Sequence, residues 1–189
     1  IVIDTKIREN EGSFAAIIGE CIRKWAGLKL AVIKGIPEKG DIYLTLAPEC
    51  GQQGYRLSIS EEGIEIKGGD GAGVMYGVQT LCQITEQCGG AFPCLEIVDS
   101  PDLLNRGYYL DQTRGRVQKL EGLKKMVDLL SRYKINEFQL YIEHTYMFRN
   151  FSEMWRDETP ITAEEILELD AYCKARYVDL VPSLSSFGH

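Results

Sequence analysis

The sequence predicts an α/β protein in two parts: a small α+β, sandwich-like domain, then the beginning of a parallel β-α-β-α-β arrangement. Three observations carry this. Along the 189 residues, an opening of helix and closely spaced alternating strands gives way to strand–helix repeats. A stretch punctuated by Gly89-Gly90, Pro93 and Ser100-Pro101 separates the two patterns. In the second pattern, ionisable and hydroxyl residues gather directly after each strand. The junction is placed near Asp99, giving domains 1–99 and 100–189.

In the first part, Ser13 is read as the cap of a helix whose Phe14, Ile17, Ile18, Cys21, Ile22 and Trp25 share one face, and Gly27 ends it. Strand patterns follow at Leu30–Ile33, Asp41–Ala47, Tyr55–Ser60 and Gly63–Lys67. Ile42, Leu44 and Leu46 alternate with polar or small residues, so one face of that strand is buried. Glu61-Glu62-Gly63 links the last two strands tightly enough for a hairpin. A second helix is expected from about Ala72 to Ile84. Helix, antiparallel strands and helix imply helices packed on one face of a sheet. Only a short apolar run, Leu95–Val98, interrupts the junction.

In the second part, Gly107–Leu110 is a short strand ending at Asp111. A helix from Leu120 to Tyr133 carries Leu120, Leu123, Met126, Val127 and Leu130 on one stripe. Ile135–Ile142 is a second strand, running into Glu143-His144. Thr162 and Glu165 have capping-box spacing and start a helix with Ile166, Leu169 and Cys173 on its apolar side. Tyr177–Pro182 is the third strand. This order requires parallel strands joined by crossovers. The residues after the strands are Asp111 and Arg114, then Glu143 and His144, then Ser183, Ser185 and His189. In a (β/α) barrel such strand ends form a single rim, where function sits.

Composition narrows the function classes. Apolar residues make up 44% and charged residues 26%, an ordinary globular mixture that excludes wholesale disorder. No run approaches the ~18 apolar residues of a membrane span. There are 28 acidic against 21 basic residues, a net charge of −7, with no Lys/Arg-rich block, so a nucleic-acid backbone is excluded as main partner. The length does not hold a small domain plus a complete (β/α)₈ barrel, which alone takes about 250 residues. The chain begins at Ile1 with no visible targeting peptide and stops at Phe187-Gly188-His189, just after a strand-like run. It therefore reads as part of a longer soluble polypeptide, of bacterial cytoplasm or periplasm, with the compartment itself open. Strands cut off from their barrel neighbours leave unpaired edges, so self-association of the truncated chain is expected.

Several constellations drop out. The six cysteines are too sparse for a disulfide scaffold, and the spacing of Cys82, Cys88 and Cys94 is too wide for zinc pairs, so free structural thiols are expected. Gly71-Ala72-Gly73 opens like a dinucleotide loop, but Tyr76 stands at the third glycine position. Glu143-His144 is no zincin helix, because Phe148 occupies the place of the second His. Neither a metal nor a cofactor is expected. Asp111 is read as a partner of Arg114, of the ligand, or of Arg106. Tyr146, Phe148 and Trp155 lie in the long loop after the second strand, as loop packing or as stacking surfaces.

Certain runs resemble the family 20 glycoside hydrolases, the β-N-acetylhexosaminidases. They are Gly77-Val78-Gln79-Thr80-Leu81 with Gln83, Asp99-Ser100-Pro101, Arg106-Gly107-Tyr108-Tyr109-Leu110-Asp111 with Arg114, Tyr133-Lys134-Ile135-Asn136, and Gly188-His189. The resemblance spans about Tyr55 to His189 and keeps the family's order. It implies that the second part is an incomplete (β/α)₈ TIM barrel, its first three strands. It implies a terminal N-acetylhexosamine as the carbohydrate partner, with Arg114 matching the arginine that binds vicinal hydroxyls and His189 matching a histidine near the same subsite. Asp111, Glu143 and His144 are the further candidate substrate-binding residues. Where the family has paired aspartates this chain has His144-Thr145, and Pro182-Ser183-Leu184-Ser185 stands in place of Pro-Glu-Ile-Asp. Phe187 replaces the proline before Gly188. The resemblance puts the catalytic Asp-Glu pair beyond residue 189, leaving no catalytic residue within the chain. Two other readings share features with this one: a family 84 type hexosaminidase, and a sugar-binding or accessory module that has lost catalysis.

Overall fold

The computed structural model describes residues 1–8 and 10–183. The chain divides into two compact units, Ile1–Leu104 and Asn105–His189.

The first unit holds a six-stranded sheet with two helices. Its elements are β1 (Val2–Ile3), α1 (Glu11–Ala26), β2 (Ile33–Lys34), β3 (Ile42–Leu46), β4 (Tyr55–Ser60), β5 (Gly63–Gly68), α2 (Gly71–Cys88) and β6 (Leu95–Asp99). The strand order is β2-β1-β3-β5-β4-β6. The expected antiparallel sheet is a mixed one: β1 runs parallel to β2 and β3, and β3 is parallel to β5. Only β4 pairs antiparallel, with β5 through the Glu61-Glu62 turn and with β6 on its other side. The parallel part escapes sequence reading because β1 is two residues long, too short for any alternation to register. The run Leu95–Val98, read as an interruption, is the edge strand β6. The expected strand at Leu30–Ile33 is confined to Ile33–Lys34.

Along β4, Tyr55, Leu57 and Ile59 are buried while Arg56 and Ser60 are exposed, the period of a one-sided sheet. The helix α2 covers that face. Asp70 caps it by accepting the Gly73 N–H at 2.8 Å, and Gly89, with φ +61, closes it. A Cβ on Gly77 would stand 2.5 Å from Ile66 Cγ2, so the glycine is what lets helix and sheet approach so closely. Phe14, Ile18 and Ile22 of α1 are buried, as their spacing predicts. Ser13, however, lies inside α1: the helix starts after Asn10, which stands at φ 53.

The second unit is a parallel three-stranded sheet in the order β7-β8-β9. Its elements are β7 (Gly107–Asp111), α3 (Leu120–Arg132), β8 (Glu137–Tyr141), a short α4 (Ser152–Trp155), α5 (Ala163–Lys174) and β9 (Asp179–Ser183). Helices α3 and α5 contribute Leu123, Val127, Leu130, Leu169 and Cys173 to a core completed by Phe138 and Leu140 of β8. The capping box forms as its spacing predicts: Thr162 Oγ1 accepts from Glu165 N at 3.1 Å, and Glu165 Oε2 accepts from Thr162 N at 2.9 Å. All six cysteines are free thiols. No described helix is long and apolar enough to cross a membrane.

Candidate functional site

The site grows out of strand register. Tyr109 pairs with Gln139 and Asp111 with Tyr141, and Tyr141 in turn pairs with Ser183. Paired residues in a parallel sheet project to the same side, so Asp111, Tyr141 and Ser183 share the face away from α3 and α5. Continuing the alternation past the strand ends brings Thr113 and Glu143 to that side too.

Arg114 lies where the β7 strand turns out of the sheet. The Asp111 carboxylate shapes this turn: its Oδ1 accepts from Thr113 N at 2.8 Å and from Arg114 N at 3.1 Å. Its Oδ2 accepts from Arg114 Nη1 at 2.7 Å. The second arm of the guanidinium, Nη2, donates to Glu143 Oε1 at 3.2 Å. The Thr113 backbone N–H and the Arg114 side chain together hold the Asp111 carboxyl below the usual carboxylate range. Asp111 first, then Tyr141, raise the already high Arg114 value further. The guanidinium also stands 5.2 Å from the Tyr141 ring centre. Asp111 thus partners Arg114; Arg106 instead donates its Nε to Lys134 O at 2.7 Å.

Two ties fix the loop backbones. Glu143 N donates to Thr113 Oγ1 at 3.0 Å, joining the ends of β7 and β8. Gln112, fully buried on the helix side, gives its N–H to Tyr141 O at 3.0 Å and accepts from Gln118 N at 2.8 Å. The loop carrying Arg114 is therefore closed at its base by one amide. The Nε2 of Gln112 has no partner among the described residues, so the acceptor end is what this side chain contributes.

Asp111, Arg114 and Glu143 are brought into one cluster. His144 is placed otherwise, its Nε2 3.9 Å from Glu158 Oε1. His189 and Ser185 lie outside the described residues. Tyr146 and Phe148 pack edge to face at 4.9 Å, and Trp155 Nε1 donates to Phe148 O at 3.0 Å, so these three aromatics make contacts within their own loop. Sequence reading missed Tyr141, Thr113 and Gln112. The alternation within Ile135–Ile142 contained the signal for Tyr141, since it shares a parity with Glu143.

The cluster has a definite chemical competence. A sugar hydroxyl both donates and accepts; a guanidinium flanked by two carboxylates offers donors and acceptors side by side. The arginine fork presents N–H groups at a spacing suited to two neighbouring hydroxyls.

The model for glycosyl hydrolase family 20, domain 2, matches residues 1–100. The chain belongs to glycosyl hydrolase family 20. The match also covers the N-terminal residues before Tyr55, where sequence reading had found no family motif. Among curated relatives, a β-hexosaminidase of Akkermansia muciniphila is 29% identical over 163 residues, 75% of this chain and 33% of that protein. One of Porphyromonas gingivalis is 26% identical over 203 residues, 93% of this chain and 26% of its own length. The chain thus spans a third or less of these relatives. The β-N-acetylhexosaminidase structure from Bacteroides fragilis superposes with a TM-score of 0.78 at 25% identity, over 96% of this chain and 39% of that one. A Streptomyces plicatus β-hexosaminidase mutant in complex with its product, N-acetylglucosamine, gives 0.78 at 23% identity, with 96% and 40% covered, a likeness of fold.

Proposed function

We propose that the protein containing this chain is a retaining exo-β-N-acetylhexosaminidase that releases terminal N-acetylglucosamine or N-acetylgalactosamine from glycans. Residues 1–99 are its small α+β domain, and 100–189 supply the first β-α-β-α-β part of a (β/α)₈ glycosidase barrel. Family membership and the β-hexosaminidase relatives support this reading. The parallel order β7-β8-β9, with α3 and α5 on one face and the polar cluster on the other, has the layout of consecutive barrel strands. The observation that carries the sugar-binding role is the Asp111–Arg114–Glu143 cluster, assembled at adjacent strand ends.

In the proposed reaction the substrate's own acetamido carbonyl oxygen attacks the anomeric carbon. A glutamic acid beyond residue 189 protonates the departing glycosidic oxygen, and an adjacent aspartate orients the acetamido group. An oxazolinium intermediate results, which water opens with overall retention. This replaces the enzyme nucleophile of the usual two-carboxylate mechanism. The residues within 1–189 act earlier: Arg114, Asp111 and Glu143 bind the terminal sugar's hydroxyls, with His189 assigned by resemblance to the same subsite and His144, beside Glu158, left out of it, so that the acetamido group arrives aligned.

The test compares aryl N-acetyl-β-glucosaminide with the corresponding aryl β-glucoside on the full-length polypeptide. Substrate assistance predicts turnover of the first and at least about a thousandfold less of the second, since effective molarities of internal nucleophiles are large. Comparable turnover of both contradicts the mechanism.

A further inference from the structure

Tyr141 is the last residue of β8, carries no family motif, and yet touches both Arg114 and Glu143. Its ring is buried, packed 5.9 Å from the Tyr109 ring and beneath the Arg114 guanidinium. Its hydroxyl donates to Glu143 Oε1, the same oxygen that receives Arg114 Nη2.

Glu143 needs such a support. It lies two residues beyond the strand end, half-exposed, on a side chain with freely rotating bonds. Its backbone is tied to Thr113 Oγ1, but that bond leaves the direction of the carboxylate unset. A buried phenol has two torsions, both locked by packing, and so offers a donor at a fixed point. From that point the Glu143 carboxylate is held against one arm of Arg114, as Asp111 holds the other.

We propose that Tyr141 is a positioning residue for sugar specificity: it fixes the Glu143 carboxylate beside Arg114, so that the pair recognises one hydroxyl of the terminal sugar in one configuration. The inference rests on the sugar-binding reading of the cluster. A hydroxyl that accepts from a guanidinium and donates to a carboxylate satisfies both only when it projects in the right direction. Inverting its carbon leaves a charged group unmatched, which is how polar sites discriminate strongly. Arg114 matches an arginine that binds vicinal hydroxyls, so the configuration read here is the one that separates gluco from galacto sugars.

The experiment uses the full-length polypeptide, with aryl N-acetyl-β-glucosaminide and N-acetyl-β-galactosaminide as the two substrates. It compares Tyr141→Phe, Glu143→Ala, the double variant and Arg114→Ala by kcat, KM and thermal midpoint. Tyr141→Phe keeps the ring, and its midpoint stays near that of the parent. It raises KM for the preferred sugar about ten- to a hundredfold, the scale of one hydrogen bond to a charged group, and narrows the preference between the two sugars. In the Glu143→Ala background it adds less than about twofold, because the group it positions is gone. Unchanged KM and preference in Tyr141→Phe, while Arg114→Ala still loses activity, overturns the role of Tyr141 alone. Independent, multiplying effects of Tyr141→Phe and Glu143→Ala overturn it equally. A silent Arg114→Ala removes the sugar-binding reading and this inference with it.

Discussion

Along β8, Phe138 and Leu140 face the helices and are sealed, while Gln139 and Tyr141 face away and lead on to Glu143. The two sets alternate residue by residue, yet one belongs to an apolar core and the other to a partly solvated polar cluster. On the helix side Phe138 and Leu140 meet mostly aliphatic side chains and the Cys173 thiol, and shape complementarity sets the energy. On the other side the partners are hydrogen bonds between groups that keep contact with water, so their net stabilisation is small and their geometry is the product. A strand in a parallel sheet thus divides its labour by parity: one parity holds the fold, the other carries the polar cluster proposed to bind sugar.

Breaking the covered face has the largest expected effect. Phe138 is fully buried between α3 and α5, and Phe138→Ala removes a ring from a core that relaxes only in part. A loss of about 3–5 kcal/mol is expected, read as a lower denaturant midpoint in chemical unfolding. A loss under about 1 kcal/mol means that this face is not the packed core described here.

Thiol chemistry sharpens the contrast without any mutation. Cys173 is buried on the α5 stripe, and burial, with Asp170 adding to it, pushes its thiol up to about 12. It stays protonated at neutral pH and reacts only when the core opens. Cys94 is exposed. Timed alkylation with mass-spectrometric mapping is expected to modify Cys94 early and Cys173 last; early modification of Cys173 in folded protein means an open α5 interface.

The covered face was the more legible in the sequence. Leu123, Val127 and Leu130 repeat at helical spacing, and Thr162 with Glu165 announces the α5 start, because these signals depend on residues near one another in the chain. The parallel pairing of β1 with β3 was not legible, since two residues hold no period and their partners are some forty positions away. In the candidate site, Arg114 and Asp111 stood out through spacing and resemblance, and Glu143 through its place at a strand end. Tyr141 was hidden within an apolar run, where an aromatic residue reads as core. Gln112 was hidden as well: its Oε1 closes the Arg114 loop on Gln118 N, a contact no motif encodes. Register, which composition does not reveal, turned both into parts of the site.

The open face is proposed to bind sugar through Arg114 while adding little to stability, and one paired measurement tests this. Arg114→Ala in the full-length polypeptide is assayed for kcat/KM on an aryl N-acetyl-β-glucosaminide and, in the same preparation, for its thermal midpoint. Loss of a guanidinium contacting two hydroxyls is expected to cut kcat/KM by about 10²–10⁴-fold, with the midpoint nearly unchanged and Arg114→Lys failing to restore the rate. A kcat/KM within about threefold of the parent contradicts a sugar-binding role for Arg114, because an arginine that only pairs with Asp111 and Glu143 would leave turnover intact.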